Sequence, residues 1–204
     1  MSPESAPRQR LVEHLRAYAV RTDGPFTLRS GAVSDWYIDA RQTTFDGVGA
    51  TTVGEAVLDV LDPDVVAVGG LTMGADPIAI ATAVAGASAG RPLRAFSVRK
   101  EAKGHGTGGR LVGPVGPDDT VAVVEDTTTT GSAMFEAIAA LSDAGVKIAQ
   151  VITLVDRSDG IAAAKVAAAG IPYLALVIPR DLGVEERICS ESIDRPSDCS
   201  CLDW

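Results

Sequence analysis

Residues 121–133, VAVVEDTTTTGSA, combine residue types that suit a phosphorylated sugar. The apolar residues at the start predict a buried strand, Glu125 and Asp126 follow at its end, and a loop of Thr and Gly opens the next helix. Such a loop offers backbone N–H groups, hydroxyl donors and the positive end of the helix dipole, which together bind phosphate. The two carboxylates can accept hydrogen bonds from neighbouring hydroxyl groups. A phosphate next to a diol predicts a ribose 5-phosphate group as the ligand.

A second group of candidate residues is basic and lies within residues 91–110. The chain of 204 residues carries a net charge of -9, yet this stretch has six basic residues and only one acidic residue, Glu101. The basic residues are Arg91, Arg94, Arg99, Lys100, Lys103 and Arg110. An acidic protein is poorly suited to bind nucleic acid or an anionic membrane, because both need a basic surface. A compact basic stretch on an acidic chain therefore predicts a small anionic ligand.

Composition and local patterns exclude several other classes of protein. No apolar run approaches the ~20 residues of a membrane span, and residues 1–10 contain no apolar signal core, which predicts a cytoplasmic protein. The three cysteines, Cys189, Cys199 and Cys201, lie near the C-terminus without a neighbouring histidine. They predict reduced thiols rather than a disulfide framework or a zinc site, and no protein-bound metal site is predicted.

Short apolar runs rich in β-branched residues predict strands that are buried on both faces. These runs are residues 65–70, 94–98, 120–125, 149–155 and 173–178. Two short extended segments are also predicted, near residues 26–29 and 35–40. Helices are predicted from apolar spacing at residues 8–21, 48–61, 77–88, 132–144 and 159–169. Strands that alternate with helices predict an α/β fold with a parallel sheet.

This fold determines where the candidate residues should meet. In open α/β sheets the ligand binds beyond the carboxyl ends of the strands. The segments that follow the predicted strands are residues 69–74, 99–109, 125–132 and 156–157. We therefore expect the acidic pair, the Thr/Gly loop and the basic stretch to lie at one edge of the sheet.

Several segments resemble the motifs of a known enzyme family, in the family's order. VAVVEDTTTTGSA resembles the signature with which type I phosphoribosyltransferases bind 5-phosphoribosyl 1-pyrophosphate (PRPP). VRKEAKGHGTGGRLVG at 98–113 is similar to the mobile catalytic loop of orotate phosphoribosyltransferases, and LRSGAVSDWYIDAR at 28–41 is similar to their N-terminal segment. VDRSDG at 155–160 matches the position of an arginine that contacts orotate. The resemblance covers roughly residues 10–182.

The resemblance implies both a fold and a reaction. The fold would be a single type I phosphoribosyltransferase domain over residues 1–204, with a central, mostly parallel sheet flanked by helices, a small N-terminal hood and a mobile catalytic loop. Residues 184–204 would form an acidic tail. The reaction would transfer ribose 5-phosphate from PRPP to orotate, giving orotidine 5′-monophosphate and pyrophosphate. Mg²⁺ would bind mainly through PRPP, and a homodimer would share the catalytic loop across its interface.

The chemistry and the resemblance together suggest roles for individual residues. Electrostatic stabilisation should dominate catalysis, because departure of pyrophosphate leaves an oxocarbenium-like, positively charged sugar. The catalytic candidates are Lys103, His105 and Asp126. The residues expected to bind PRPP are Arg99, Lys100, Lys103, His105, Glu125, Asp126, Thr127, Thr128, Thr129, Thr130, Gly131, Ser132 and Ala133. By resemblance, the residues expected to contact orotate are Thr129, Arg157, Arg29, Trp36 and Tyr37.

One segment departs from the family pattern. Many relatives carry a Tyr-Lys pair that contacts PRPP, whereas this chain has Met73-Gly74 at those positions. No role is predicted for Asp76, and His14 is predicted to be exposed on the first helix. A phosphoribosyltransferase for a purine base is an alternative, because the PRPP signature does not select the base. A PRPP-sensing regulator without catalytic activity is a further alternative, from a different class.

Overall fold

The computed structural model describes residues 5–27, 33–101 and 109–184. Three predicted site residues, Arg29, Lys103 and His105, lie outside these ranges, as does the acidic tail beyond residue 184. None of the helices in the described ranges combines the length and the apolar character that a membrane crossing requires.

Helices and two-residue strands form the N-terminal part of the chain, and from residue 67 onwards longer strands are interspersed with helices. The helices are α1 (Ala6–His14), α2 (Arg41–Thr44), α3 (Gly47–Asp59), α4 (Ala75–Ser88), α5 (Ser132–Asp143) and α6 (Ile161–Ala168). The strands are β1 (Val20–Arg21), β2 (Phe26–Thr27), β3 (Val33–Ser34), β4 (Tyr37–Ile38), β5 (Ala67–Leu71), β6 (Arg94–Val98), β7 (Leu111–Val112), β8 (Thr120–Thr128), β9 (Lys147–Asp156) and β10 (Tyr173–Val177). A π-helical turn, Leu15–Ala19, continues α1, and a 3₁₀ turn, Pro179–Leu182, follows β10.

The central sheet has six strands in the order β10-β9-β8-β5-β6-β7. All neighbouring pairs are parallel except β6 and β7, which pair antiparallel. This arrangement confirms the predicted α/β fold with a mostly parallel sheet, and each predicted apolar run forms one of its strands. The two residues of β7 are too few to leave a pattern in the sequence.

Alternate residues of the central strands face two separate layers of helices. On one face, Ala122 and Val124 of β8 belong to a core built with α1, α3 and α4. On the other face, Val121 and Val123 belong to a core built with α5 and α6. Because these side chains are all fully buried, β8 is covered on both sides, which explains its continuous run of apolar residues.

The N-terminal segment departs from the prediction of one helix over residues 8–21. α1 and the π turn end at Ala19, and Val20 begins β1, which pairs antiparallel with β4. β2 pairs antiparallel with β3 in a second small sheet. Leu11 and Leu15 are fully buried, so the apolar face of the helix is as predicted, although the helical segment begins and ends two residues earlier.

The prediction that His14 is exposed is wrong. Its side chain is only 10% exposed. Its two ring nitrogens lie 3.2 Å from Thr43 Oγ1 and 3.1 Å from Asp46 Oδ1. Asp46 also accepts hydrogen bonds from the first turn of α3, so His14 joins α1 to the start of α3.

Candidate active site

The carboxyl ends of β5 and β8 border a crevice at the centre of the sheet. The two strands are parallel neighbours, and the chain visits β6 on the far side of β5 before it returns to form β8. α4, which follows β5, packs on one face of the sheet, whereas α5, which follows β8, packs on the other. Chain segments that diverge in this way open a crevice for a ligand.

Glu125 and Asp126 line this crevice from within β8, because the strand continues beyond its predicted end to Thr128. Glu125 is 7% exposed, and its Oε2 has no hydrogen-bond partner among the described residues. Burial raises the pKa of Glu125 to about 8, with further contributions from the charge of Asp126 and a hydrogen bond to it.

Burial also raises the pKa of Asp126, although a hydrogen bond from the Thr127 N–H (2.6 Å) acts in the opposite direction. The carboxyl pair therefore holds a proton near neutral pH in the absence of a ligand. A cation or a set of hydroxyl donors in the crevice would favour its ionised form.

Thr72 shapes the opposite wall of the crevice. Its N–H donates to Val98 O (2.8 Å), and its hydroxyl donates to Asp76 Oδ2 (2.6 Å). Asp76, which had no predicted role, thus stabilises the turn between β5 and α4. The other carboxylate oxygen of Asp76 is buried without a hydrogen-bond partner among the described residues.

Met73 and Gly74 complete this wall. The Thr72–Met73 peptide bond is cis, and the Met73 side chain is 57% exposed. A Cβ atom at Gly74 would lie 2.8 Å from Asp126 Oδ1. Glycine therefore allows the two walls to approach each other more closely than any other residue would.

The two walls enclose a cleft of about 290 Å³. It is lined by Arg41, Leu71, Thr72, Met73, Gly74, Lys100, Glu125, Asp126 and Ala133. The structure thus brings together four of the predicted PRPP-binding residues, Lys100, Glu125, Asp126 and Ala133, with an arginine that was not predicted. A wider and more open depression of about 570 Å³ shares Arg41 with this cleft. The carboxylate pair belongs only to the smaller cleft, which is therefore the better candidate for the site of chemistry.

The Thr/Gly loop before α5 is shorter than the sequence predicts. β8 includes residues 127–128, so the loop consists of residues 129–131. Thr128 is buried, Thr127 is half-buried, and the two loop threonines are exposed. Ser132, the first residue of α5, is exposed as well, so hydroxyl groups surround the N-terminus of this helix.

A glycine and two hydrogen bonds shape this loop. Gly131 has a positive φ of 81°, which turns the chain into α5 at little steric cost. The hydroxyls of Thr130 and Ser132 lie 2.8 Å apart, and Lys165 Nζ donates to Thr130 O at 3.0 Å. The contact from Lys165 places an ammonium group of α6 beside the exposed hydroxyls.

Arg157 follows β9, and its N–H donates to Thr128 O at 2.8 Å. Its guanidinium carbon lies 4.0 Å from the centre of the Trp36 ring, a distance typical of a cation–π contact. Trp36 is 2% exposed, and its indole N–H has no hydrogen-bond partner among the described residues. Tyr37 is half-buried and packs 5.8 Å from the Phe26 ring. Two residues predicted to contact orotate, Arg157 and Trp36, are thus in contact with each other.

Asp156 fixes the backbone from which Arg157 projects. Its carboxylate is buried and accepts hydrogen bonds from the Tyr173 hydroxyl (2.8 Å) and the Ser158 N–H (2.7 Å). Burial raises the pKa of Tyr173, so this hydroxyl stays a neutral donor. Ser158 Oγ in turn accepts from the N–H of Ala162 in the first turn of α6 (2.9 Å).

The basic stretch divides into residues that stabilise the fold and residues near the cleft. Arg91 donates to backbone carbonyls of the segment between α3 and β5. Arg94 and Arg110 form ion pairs with Asp119 and Glu136. Only part of the stretch is therefore available to a small anionic ligand.

The residues near the cleft lie at the end of β6. Lys100 lines the cleft, and Arg99 is half-buried. The N–H of Arg99 donates to Arg110 O (2.8 Å), and Arg110 Nε donates to Arg99 O (2.7 Å). These reciprocal bonds join the two ends of the chain segment that contains Lys103 and His105, which lie outside the described residues.

Two basic residues near the site, Arg41 and Lys165, are not among the residues predicted from the sequence. Arg41 had a local signal, because Asp39 and Arg41 stand directly after an extended segment, as binding residues often do in α/β proteins. Lys165 had no such signal, since it lies on the exposed side of α6 and meets Thr130 only through the fold.

Comparison with known proteins identifies the family. No protein-family model matches the chain. The orotate phosphoribosyltransferase of Streptomyces avermitilis is 45% identical over 179 residues, which cover 87% of this chain and 98% of that protein. The crystal structure of Mycobacterium tuberculosis orotate phosphoribosyltransferase with inorganic phosphate is 36% identical in sequence and superposes with a TM-score of 0.77. The match covers 88% of this chain and 100% of the Mycobacterium tuberculosis chain.

A second crystal structure of the Mycobacterium tuberculosis enzyme contains PRPP. It is 34% identical, covers 88% of this chain and 93% of that chain, and has a TM-score of 0.72. These similarities cover most of the chain, and they confirm the type I phosphoribosyltransferase fold. The chain therefore belongs to the orotate phosphoribosyltransferase family.

Proposed function

We propose that this chain transfers ribose 5-phosphate from PRPP to orotate, giving orotidine 5′-monophosphate and pyrophosphate. The observation that carries the proposal is that the buried Glu125 and the half-buried Asp126 share one cleft with Ala133 in the first turn of α5 and with the basic side chains of Arg41 and Lys100. The cleft therefore offers carboxylates for a sugar diol, the N-terminus of a helix for a phosphate, and cationic side chains for a pyrophosphate.

The acid pair would act on the ribose. Its carboxylates accept hydrogen bonds from the 2- and 3-hydroxyls, and their negative charge favours the cationic sugar that forms as pyrophosphate leaves. Because the unliganded pair holds a proton, with the pKa of Glu125 at about 8, binding of hydroxyl donors and cations should release it. The predicted catalytic role of Asp126 follows from this position, and residues 127–133 would bind the 5-phosphate.

Mg²⁺ is expected to arrive with PRPP. The fit is supported by Glu125 Oε2, a buried carboxylate oxygen without a hydrogen-bond partner among the described residues, and by the adjacent carboxylate of Asp126. When bound, the ion would neutralise part of the charge on the departing pyrophosphate. Arg99 and Lys100 would bind the same phosphate oxygens from the end of β6.

Orotate is a planar anion, and among the described residues Arg157 is the cation that we assign to its carboxylate. Guanidinium binds carboxylate through two parallel hydrogen bonds, and the Trp36 ring orients the Arg157 side chain. Thr129, on the neighbouring loop, and Tyr37 would complete this side of the site. Contact between Arg29 and orotate stays a prediction.

Lys103 and His105 remain the candidates for closing the site over the pyrophosphate. Their segment begins and ends at the bonded pair Arg99–Arg110, beside the cleft. A homodimer in which this segment serves the partner's site is part of the proposal, and the cytoplasmic location stays a prediction.

The decisive experiment follows orotate absorbance after the purified protein is mixed with PRPP and Mg²⁺. We expect orotate consumption, and we expect Lys103→Ala to lower turnover by orders of magnitude. Lys147→Ala, which removes an exposed lysine at the start of β9, should leave turnover unchanged. Turnover of adenine, hypoxanthine or guanine with no orotate consumption would refute the assignment in favour of a purine enzyme. PRPP binding without any turnover would favour a regulator.

A further inference from the structure

Arg41 is held at the edge of the cleft by its own neighbour in the chain. It is the first residue of α2, and its guanidinium donates to both carboxylate oxygens of Asp39, at 2.7 and 3.1 Å. Asp39 also accepts hydrogen bonds from the Arg41 N–H and from the Gln42 side chain. Asp39 is thus a fixed anchor, which limits the positions that the Arg41 side chain can adopt.

The charge of Arg41 reaches the acid pair. Arg41 lines the same cleft as Asp126, and its positive charge partly offsets the rise in the pKa of Asp126 that burial causes. Two of the five guanidinium N–H groups donate to Asp39. The side chain is about half exposed, so a ligand in the cleft can reach its other donors.

Residues 72–74 line the same cleft and contribute no positive charge to it. Met73 stands there with an exposed, apolar side chain. Among the described residues that line the cleft, the cations are Lys100 and Arg41. The pyrophosphate of PRPP carries several negative charges, and a guanidinium can bind two phosphate oxygens at once.

We propose that Arg41 binds the pyrophosphate of PRPP, with Asp39 as the residue that positions it. The inference rests on the proposed function, because it takes PRPP as the ligand of the cleft. It adds a residue from the N-terminal segment, which lines the same cleft as residues 72–74, to the groups that bind the leaving group. Arg41 touches substrate in this proposal, whereas Asp39 acts through Arg41.

The test compares Arg41→Gln and Arg41→Lys with wild type. Titration calorimetry with Mg²⁺ and either PRPP or pyrophosphate should show binding about tenfold weaker or worse for Arg41→Gln. Arg41→Lys keeps the positive charge but loses the paired N–H groups of the guanidinium, and its affinity for PRPP should lie between those of wild type and Arg41→Gln. The KM for PRPP should rise by a similar factor, while the KM for orotate stays within about twofold, a split that general damage to the fold would not produce.

Arg21→Gln is the matched control. Arg21 forms the same kind of ion pair with an aspartate two residues away, Asp23, but both side chains are exposed and neither lines the cleft. This variant should bind PRPP like wild type. Equal PRPP affinity in wild type and Arg41→Gln would overturn the proposal, as would equal losses for PRPP and orotate.

A compensating substitution tests the charge itself. Met73→Lys in the Arg41→Gln background returns a cation to the same cleft and should recover part of the lost PRPP affinity. A double variant as weak as Arg41→Gln would overturn the electrostatic role. If wild type turns over orotate while Arg41→Gln binds PRPP normally, the proposed function stands and only the role of Arg41 fails. If wild type does not bind PRPP, the proposed function itself is refuted.

Discussion

Replacing Glu125 by Gln should stabilise the unliganded protein, and should do so increasingly as the pH rises. Glu125 lies almost fully buried beside Asp126, and its Oε2 has no hydrogen-bond partner among the described residues. Ionising this carboxyl in the folded chain therefore costs free energy that the unfolded chain does not incur. Glutamine has nearly the same shape as the protonated side chain and has no proton to lose.

The size of the effect follows from the two pKa values. The pKa of Glu125 is about 8 in the folded chain against an ordinary value of 4.5. Because the folded state holds the proton more tightly, the free energy of unfolding is unaffected below pH 4.5 and falls as the pH rises towards 8, by up to about 1.4 kcal/mol per pH unit. Between pH 6 and pH 9 wild type should lose about 3 kcal/mol relative to Glu125→Gln.

Urea unfolding of both proteins at pH 6 and pH 9, without PRPP or Mg²⁺, measures this difference. Glu13→Gln is the control, because Glu13 is exposed on α1, and its stability relative to wild type should change little between the two pH values. A difference between Glu125→Gln and wild type that is the same at pH 6 and pH 9 would refute the argument. In activity assays Glu125→Gln should be impaired at every pH, since it lacks the charge proposed to favour the cationic sugar.

Three further substitutions test other parts of the site. Gly74→Ala places a methyl group 2.8 Å from the Asp126 carboxylate and should weaken PRPP binding about tenfold, measured by calorimetry. Trp36→Phe keeps a buried ring but weakens the cation–π contact with Arg157, so the KM for orotate should rise about threefold while the KM for PRPP stays unchanged. Lys165→Met removes the hydrogen bond that holds the loop before α5, and the KM for PRPP should rise about two- to fivefold.

Controls for two of these variants come from the same chain. Gly47→Ala adds a methyl group with no atom within 4 Å and should leave PRPP binding intact. Lys147→Met removes an exposed lysine that pairs with Thr120 at the start of β8, at the other end of the strand from the loop, and should not change the KM for PRPP. Normal PRPP binding by Gly74→Ala, or equal effects of Trp36→Phe on both substrates, would contradict the geometry described above.

The sequence predicted the central strands well because their physical cause is local. A strand covered on both faces is apolar along most of its length, and runs such as residues 121–124 show this pattern. The end of β8 was misjudged because Thr127 and Thr128 are polar, yet they pair in register with Val155 and Asp156 of β9. β7 and α2 escaped prediction because two and four residues are too short for a period to emerge.

The candidate site was predictable where its residues are contiguous. Glu125, Asp126 and the loop before α5 lie within one short segment, so their chemistry is visible in the sequence. Arg41 and Asp76 belong to the site only because parallel pairing of β5 with β8 and packing of the N-terminal segment bring them there. His14 shows the same limit, since its hydrogen-bond partners lie about thirty residues away in the chain.

The crevice lies where β5 and β8 approach each other closely, and these two strands divide the sheet into two halves of three strands each. A Cβ atom at Gly70 would lie only 2.2 Å from Val124 O, so the strands meet with no side chain between them at this point. A ligand that contacts both Gly74 and Asp126 bridges two segments that are separated along the chain by α4, β6 and β7. Such a ligand acts as a reversible crosslink, and its binding free energy adds to the free energy that keeps the two halves of the sheet together.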